Sequence, residues 1–439
     1  MKKTIFEKYL KYYAEKEINL VPTINQSFDE VIVIPAHNEY EELLEVLNTS
    51  LPRISREKNL ILILVINGSE DSNQIVHDTN LKLLRYFEEK SAIILENVIN
   101  YIPYLNYHII IVNRATETKL FDKKSGVGLA RKIGCDIALN LHYNFNLKSN
   151  WIRTTDADVV LPIDYLDVNP DKNKYSAIIY PFYHKCNFDD NSGKALQLYE
   201  IYLRYYYLGL AWSGSPYAFH TVGSSMAVSV DAYNNVRGFP AKREAAEDFY
   251  MLNKLAKVLP VYRANQATIR IKGRTSDRVP FGTGASMAKI AIKLDLEEEY
   301  NIYNPKIFDY LKDLYKLILL FCENRNVSEI INSKNQILIS NLKILGFEEA
   351  LTNSLTQTND KSMLKRHLHT WFDGFKTLKL INQLSINTLK PVRWDNAINN
   401  CQFISFNDGF SSKIEEIRQE LYFQELNLTE KYNQSLTMT

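Results

Sequence analysis

The chain has 439 residues, and its 52 Lys and Arg against 51 Asp and Glu give a formal net charge of +1. This balance leaves no excess positive charge for holding nucleic acid or an anionic membrane, which disfavours a general nucleic-acid binder. A hydrophobic fraction of 46% with 23% charged residues is typical of a folded chain and excludes disordered and collagen-like classes. The length predicts more than one domain.

The predicted elements alternate between apolar runs and helical stretches up to about residue 295. An N-terminal helix within residues 1–29 carries Ile5, Tyr9 and Tyr12 on one face. The predicted strands that follow are 31–35, 60–66 and 107–113, and segment 151–162 is predicted as a fourth strand that runs into an acidic turn and stops at Pro162. The predicted helices are 39–48 and 126–141. Apolar strands that alternate with helices predict an α/β domain over 30–295, with a mostly parallel sheet flanked by helices.

The pattern is helical only after about residue 300, which predicts a helical C-terminal domain over 300–439. The longest apolar runs fall short of the about 20 residues of a bilayer span, so no transmembrane segment is expected. The four cysteines are widely spaced and form no CxxC pair, which indicates neither a zinc ribbon nor a disulfide framework. A reducing cytoplasm is expected, with a peripheral position at the inner membrane surface as the alternative. The oligomeric state is left open.

Candidate functional residues lie at strand ends, because ligands of parallel sheets bind beyond the carboxyl ends of the strands. Asp156 and Asp158 lie in the acidic turn at the end of the fourth predicted strand, and side chains two residues apart in an extended segment point the same way. Two such carboxylates can share one Mg²⁺ or Mn²⁺ whose remaining ligands are substrate phosphates and water. For an isolated DxD, a solvated acidic turn is the common alternative.

A second acidic pair, Glu247-Asp248, falls in the first turn of a helix predicted over 245–258. The positive end of the helix dipole favours ionised carboxylates there, and an ionised Asp can accept a proton from a hydroxyl nucleophile. Ordinary stabilisation of the helix start is the alternative.

Glycines open the predicted helix that carries Arg131 and Lys132. Free N–H groups at a helix start can meet an anion, and an arginine or lysine in that turn adds positive charge. No GK[ST] follows, so the Walker pattern is absent, and Arg131 stands where GxGxxG would have its third glycine. Close helix packing is an equally good explanation of these glycines.

The ordered segments VIVIPAHNE, LVINGSEDS, GVGLARKIG, TTDADVVLP, TVGSSMAVSVDAYNNVRGFP and AEDFYM resemble family 2 glycosyltransferases, over about residues 31–289. The resemblance implies a GT-A-type, Rossmann-like domain and an inverting hexosyltransferase dependent on Mg²⁺ or Mn²⁺. Such an enzyme would move a sugar from a UDP- or GDP-sugar to a hydroxyl of a saccharide, a lipid-linked saccharide or a small molecule.

The resemblance also implies site residues. Asp248 would be the catalytic base, and Asp156 and Asp158 would bind the metal. The nucleotide and donor would contact Pro35, Ala36, His37, Asn38, Glu39, Asn67, Gly128, Arg131, Asp156 and Ala157. The donor-sugar and acceptor pocket would be formed by Gly223, Ser224, Ser225 and Glu247.

Three further residues are candidates by their own chemistry. Arg278 lies in a glycine-bearing loop that is expected to close over the diphosphate, with an ordinary surface loop as the alternative. Trp212 is expected to stack on the acceptor. His220 is a candidate third metal ligand, with a structural hydrogen-bonding role as the alternative.

Departures from the family pattern keep alternatives open. Asn67 stands where the family usually has Asp, so a noncatalytic protein that binds a nucleotide sugar and a partner remains a hypothesis. Lys390 precedes Arg393-Trp394 in place of the Gln of a QxxRW motif, which indicates a non-processive enzyme. A sugar nucleotidyltransferase is disfavoured, because the acidic AHNEYEE follows the first strand where a triphosphate would need cations.

Overall fold

The computed structural model describes residues 2–185, 190–241, 246–273, 283–406, 409–411 and 413–437. Contacts between residues divide the chain into two units, of which the first comprises 1–187, 221–285 and 429–439. The second comprises 188–220 and 286–428. Segment 188–220, which the sequence pattern placed in the α/β domain, thus groups with the C-terminal helices.

The described residues form the following strands: β1 (Glu30–Ala36), β2 (Leu60–Asn67), β3 (Ile99–Tyr104), β4 (Tyr107–Arg114), β5 (Trp151–Thr154), β6 (Val159–Val160), β7 (Ala177–Ile179), β8 (Phe182–Lys185), β9 (Met226–Ser229), β10 (Val261–Arg263), β11 (Ile269–Lys272), β12 (Asn301–Ile302) and β13 (Val392–Arg393). The helices of the first half of the chain are α1 (Lys2–Tyr12), α2 (Glu41–Glu45), α3 (Leu51–Ile54), α4 (Gln74–Ser91), α5 (Val127–Tyr143), α6 (Asn191–Ser213), α7 (Val230–Asn235) and α8 (Glu247–Val258).

The remaining helices are α9 (Thr283–Asp295), α10 (Lys306–Asn324), α11 (Val327–Ile331), α12 (Gln336–Ile344), α13 (Phe347–Gln357), α14 (Lys361–Trp371), α15 (Gly374–Asn387), α16 (Trp394–Asn399) and α17 (Ile414–Thr437). Among the helices of the described residues, none combines the length and the apolar character that crossing a membrane requires.

The first unit is built on an eight-stranded sheet in the order β10-β7-β9-β5-β1-β2-β4-β3. Strand β1 pairs in parallel with β2 and β5, and β2 pairs in parallel with β4. The antiparallel members are β3 at one edge and β9, which lies between β5 and β7. Every residue of β1 and β2 is buried, as expected for strands covered on both faces. The predicted α/β class with a mostly parallel sheet is confirmed.

A second, three-stranded sheet, in the order β6-β11-β8, follows the end of β5. Its β6 pairs antiparallel with β11, and the Lys272 amide donates to the Asp158 carbonyl over 3.0 Å. This small sheet therefore fixes the backbone on the far side of the acidic turn that joins β5 to β6.

The N-terminal helix is held by a buried carboxylate on α5. Asp136 accepts hydrogen bonds from Tyr9 Oη at 2.6 Å, Tyr233 Oη at 2.7 Å and Lys132 Nζ at 2.7 Å. Tyr9 is therefore buried, whereas Ile5 and Tyr12 are 43% and 63% exposed. The three residues are spaced along one side of α1, but only Tyr9 among them is buried, because its hydroxyl reaches the Asp136 carboxylate.

The second unit is a helical bundle in which α6 and the C-terminal helices share one apolar core. Gly209 on α6 lies so close to Phe308 on α10 that a Cβ at this position would stand 2.6 Å from the ring. The predicted helical character after residue 300 is confirmed, apart from the two-residue strands β12 and β13, which pair antiparallel.

Helix α5 lies close against the sheet at Gly134, where an added Cβ would overlap Val33 Cγ1 and stand 3.5 Å from Val65 Cγ2. We predict that Gly134→Ala destabilises the protein by about 1–3 kcal/mol, because the packing clash outweighs the better helix propensity of alanine. Urea unfolding followed by circular dichroism measures this change.

The matched control for this prediction is Val33→Ala, which removes the opposing methyl groups. The double variant is expected to lose less stability than the sum of the two single variants, because the clash is no longer present. If the double variant loses as much stability as the two single variants together, the close contact between α5 and β1 is contradicted.

Candidate active site

The acidic turn begins one residue after β5. The strand ends at Thr154, so Asp156 and Asp158 lie in the turn that the sequence predicted after it. The argument from an extended segment therefore does not apply to Asp158, which lies within the turn. The turn is held instead by Thr155, whose amide donates to Val33 O at 3.1 Å and whose hydroxyl donates to Ser224 O at 2.8 Å. Both acidic side chains are half-buried.

Arg131 on α5 connects this turn to the rest of the site. Its Nη2 donates to Asp156 Oδ1 at 2.5 Å, and its Nε donates to Glu247 Oε1 at 3.0 Å. Its Nη1 donates to Gly223 O at 2.8 Å and to Thr154 Oγ1 at 3.4 Å. The guanidinium is almost completely buried, and its side chain is only 3% exposed. The predicted donor-binding residue Arg131 is thus bound to protein acceptors.

The acidic pair lies at the start of α8, as the sequence predicted. Glu247 is buried and faces Arg131, whereas Asp248 is half-buried and its Oδ1 accepts from the Phe249 amide at 2.7 Å. Ala246, immediately before the helix, has a φ of 83°, in the left-handed region that a non-glycine residue adopts at a cost. The helix start is therefore held in one defined conformation.

Burial raises the pKa of Asp248 to about 7, and the negative charge of Glu247 adds to this increase. The Arg131 charge and the Phe249 amide act in the opposite direction. For Arg131, burial alone would lower the pKa, but the charges of Asp156, Glu247 and Asp248 outweigh it and raise the pKa above its usual value. A carboxyl group that titrates near neutrality is suited to exchange a proton with a substrate hydroxyl.

The turn Gly223–Ser225 is buried and contributes backbone carbonyls to its neighbours. Gly223 O accepts from Arg131, Ser224 O from Thr155, and Ser225 O from the Tyr180 amide at 2.9 Å. A Cβ on Gly223 would stand 2.6 Å from Arg131 Nη2, so glycine is required for the close approach. The structure thus brings Gly223 and Ser224 to the acidic turn.

A divalent cation at this site would have few protein ligands. Within the described residues there is no group of three or more His, Cys, Asp or Glu side chains arranged to hold a metal ion. Asp156 and Asp158 can supply two carboxylates, and Mg²⁺ or Mn²⁺ commonly completes such a shell with water and substrate phosphates. The half-buried acids therefore fit a cation that arrives with a diphosphate.

A second cluster connects the ends of β1 and β2. His37 Nδ1 lies 2.9 Å from Asn67 O, and Asn80 Nδ2 donates to the same carbonyl at 3.0 Å. Asn80 Oδ1 also accepts from the amide of Asn38, which has a φ of 58°.

The Asn67 side chain is nearly buried, and its Oδ1 is without a hydrogen-bond partner among the described residues. The predicted nucleoside residues His37, Asn38 and Asn67 are thus brought together, while Pro35 and Ala36 are buried in β1 and Glu39 is buried beyond it.

Asn80 is a structural member of this cluster that the sequence analysis missed. It lies on α4, fully buried, among Val76, Leu83 and Phe87, which are also buried. A polar residue in the apolar face of an amphipathic helix was the available signal, since a buried amide needs hydrogen-bond partners.

Other predicted residues have different surroundings. Gly128 is buried in the first turn of α5, and Ala157 is buried between the two acids. Lys132 donates to Asp136, so it belongs to the structural network described above. Arg278 lies outside the described residues.

Trp212 and His220 belong to the second unit. Lys312 Nζ lies 3.7 Å from the centre of the Trp212 ring, and the Tyr207 ring stacks on His220 at 4.9 Å. His220 Nε2 is 3.0 Å from Glu425 Oε1. This ion-pair geometry agrees with the structural alternative for His220, and its role as a metal ligand stays a prediction.

No family model matches the sequence, and a comparison with curated proteins gives no match. Solved structures with similarity include S. aureus TarS in complex with UDP-GlcNAc, at 12% identity and a TM-score of 0.33, covering 93% of this chain and 92% of that chain. A mannosyltransferase from Pyrobaculum calidifontis in complex with GDP-Man and Mn²⁺ has 15% identity and a TM-score of 0.35, covering 84% of this chain and 98% of that one.

A third similar structure is GalNAc-T7 with UDP, GalNAc and Mn²⁺, at 12% identity and a TM-score of 0.34, covering 64% of this chain and 50% of that one. These proteins are glycosyltransferases, the class that the sequence motifs resemble. At such low identities and TM-scores, any proposal for function has to rest on this chain's own residues.

The raised pKa of Asp248 has a consequence for stability. In the unfolded chain this group ionises near its ordinary pKa of 3.8, but in the folded chain it keeps its proton up to about pH 7. The stability that it contributes is therefore lost as the pH rises from about 4 to 7. We predict that Asp248→Asn raises Tm at pH 7.5 and that this advantage disappears toward pH 4, as measured by thermal unfolding with EDTA present.

Asp167→Asn is the matched control, because Asp167 is an exposed acid paired with Lys58. It should give no comparable gain at pH 7.5. An Asp248→Asn variant that is no more stable than the wild type at this pH would contradict the prediction, because ionisation of Asp248 would then not lower the stability of the folded protein.

Proposed function

We propose that this protein is a metal-dependent, inverting glycosyltransferase that moves a hexose from a nucleoside-diphosphate sugar to an acceptor hydroxyl. The observation that carries the proposal is the arrangement around Arg131, which joins the acidic turn at Asp156 to the helix start at Asp248. The site then combines a place for a cation with a carboxyl group that titrates near pH 7.

Asp248 is the proposed base. Its half-buried carboxylate would accept the proton of the acceptor hydroxyl as the oxygen attacks the anomeric carbon. One base suffices when the leaving group departs from the opposite face, which gives inversion. A glycoside hydrolase would instead need a pair of carboxyl groups in acid and base or nucleophile roles. The ionised fraction of Asp248 increases as the pH passes its pKa, so turnover should rise with pH through about 7.

Asp156 and Asp158 are the proposed metal ligands. A bound Mg²⁺ or Mn²⁺ would supply positive charge to the departing diphosphate. Arg131 keeps Asp156 in place through its Nη2 hydrogen bond. The amide groups of the first turn of α5, which include Gly128, lack acceptors within the helix and are proposed to face the phosphates. Arg278 and Ala157 are proposed as further donor contacts.

The cluster at the ends of β1 and β2 is the proposed nucleoside site. The Asn67 amide oxygen lacks a hydrogen-bond partner among the described residues, and an N–H group of uracil or guanine would satisfy it. Asn80 holds both turns of the cluster, so the backbone around Asn67 and Asn38 is already arranged without a ligand. A UDP- or GDP-sugar is the proposed donor, and a saccharide, lipid-linked saccharide or small molecule is the proposed acceptor of a non-processive reaction.

The direct test is release of nucleoside diphosphate from a panel of UDP- and GDP-sugars, with water as a slow acceptor. The wild type is expected to release UDP or GDP only with Mn²⁺ or Mg²⁺ present. Asp248→Asn should lower the rate about 10²- to 10⁴-fold, because the base is lost. The same variant should keep the rise in Tm that a bound donor gives.

Asp158→Ala should lose stimulation by metal, and Asp167→Asn on the exposed surface should behave as the wild type. Full activity in the presence of EDTA, or Asp248→Asn with unchanged turnover and weakened donor binding, would overturn these assignments. Absence of diphosphate release from every donor would favour a noncatalytic nucleotide-sugar binder.

A further inference from the structure

The Arg131 guanidinium donates its hydrogen bonds to acceptors within the protein. Its Nε, Nη1 and Nη2 all donate to protein acceptors, and these four acceptors lie in three separate segments: the stretch from the end of β5 into the acidic turn, the Gly223 turn and the start of α8. A guanidinium presents five N–H donors in a rigid fork, so these contacts engage most of its capacity. This geometry favours a role in positioning other groups over a role in holding a phosphate.

The first group that Arg131 positions is Asp156. One carboxylate oxygen, Oδ1, accepts from Nη2 at 2.5 Å, which leaves Oδ2 for another partner. The side chain as a whole remains 38% exposed, so the Asp156 carboxylate is accessible from solvent despite its bond to Arg131. Partners that hold a metal-binding carboxylate in one orientation commonly contribute to metal affinity.

The second group is Glu247. Its side chain is only 6% exposed, and its Oε1 accepts from Arg131 Nε at 3.0 Å. A buried acid facing an arginine is poorly placed to contact an acceptor, which differs from the role that the sequence resemblance implied. Because Glu247 is the first residue of α8, this ion pair also determines where the adjacent Asp248 lies.

We propose that Arg131 is a positioning residue that couples the two halves of the site, so that the affinity for the divalent cation and the placement of Asp248 depend on one side chain. This inference rests on the proposed function. In this role Glu247 holds the helix start and does not touch the acceptor. A merely structural ion pair would change the stability of the protein without changing its affinity for metal.

Gly223 offers a way to move the guanidinium without removing any charge. A Cβ at this position would stand 2.6 Å from Nη2 and 2.9 Å from Cζ of Arg131. Gly223→Ala should therefore displace the fork from Asp156 while every ionisable group remains. Arg131→Lys complements this variant, because a single ammonium group cannot reach the four acceptors that the guanidinium reaches.

The test measures Mn²⁺ binding by electron paramagnetic resonance, with UDP or GDP present, alongside kcat and KM for diphosphate release. Gly223→Ala and Arg131→Lys should weaken Mn²⁺ binding about 10- to 100-fold. Both should lower kcat, and the KM for the donor at saturating Mn²⁺ should change much less. Glu247→Ala should lower kcat more than Glu247→Gln, because glutamine keeps an acceptor for Arg131 Nε.

Arg153→Lys is the matched control. Arg153 is a fully buried arginine on β5 that donates to Glu30 Oε2 at 2.5 Å and to Tyr180 Oη at 3.0 Å. This variant should lower Tm without changing the Mn²⁺ affinity of the folded protein. If Arg131→Lys fails to fold, Gly223→Ala and the two Glu247 variants decide the question.

The outcomes separate this inference from the proposed function. A wild type that binds no Mn²⁺ with either nucleotide and releases no diphosphate contradicts the proposed function. A wild type that does both, with Gly223→Ala and Arg131→Lys equal to it in Mn²⁺ affinity and kcat, overturns only the coupling role. Equal loss of Mn²⁺ affinity in Arg153→Lys would also overturn it, since general loosening would then explain the effect.

Discussion

The buried guanidinium of Arg131 is the interaction on which the candidate site depends. A buried charge is costly unless it is paired and hydrogen-bonded, and Arg131 meets this requirement only when the Asp156 turn, the Gly223 turn and the start of α8 all stand around it. Its own position follows from the packing of α5 on β1, where Gly134 permits the close approach. The core packing and the geometry of the site are therefore linked through one helix.

The same arrangement determines the electrostatics of the site. The carboxyl groups of Asp156, Glu247 and Asp248 influence Arg131 together, so negative charge exceeds positive charge among these four groups. Such an excess attracts a divalent cation, and the negative charge on Glu247 adds to the burial that raises the pKa of Asp248 to about 7. In the proposed reaction, the same negative charge would attract the cation and help to raise the pKa of the base.

Much of the sheet could be predicted, because β1, β2 and β4 are continuous apolar runs that end in turn residues. Strand β9 could not be recognised, since its four residues pair antiparallel inside the sheet and carry no alternation. The conformation of the acidic turn depends on hydrogen bonds from distant segments, such as Thr155 to Ser224. Likewise, Arg131 and Glu247 lie 116 residues apart, and a single sequence holds no local signal for their pairing. The residue types of the site were predictable, but their partners were not.

A crystal structure with Mn²⁺ and UDP or GDP tests the central claim most directly, because anomalous scattering identifies the ion independently of catalysis. The proposed function predicts an anomalous peak bound by Asp156 Oδ2 and Asp158 and by the diphosphate, with Arg131 still donating to Asp156 Oδ1. A nucleotide bound elsewhere, or both carboxylates facing solvent with no ion beside them, would contradict it.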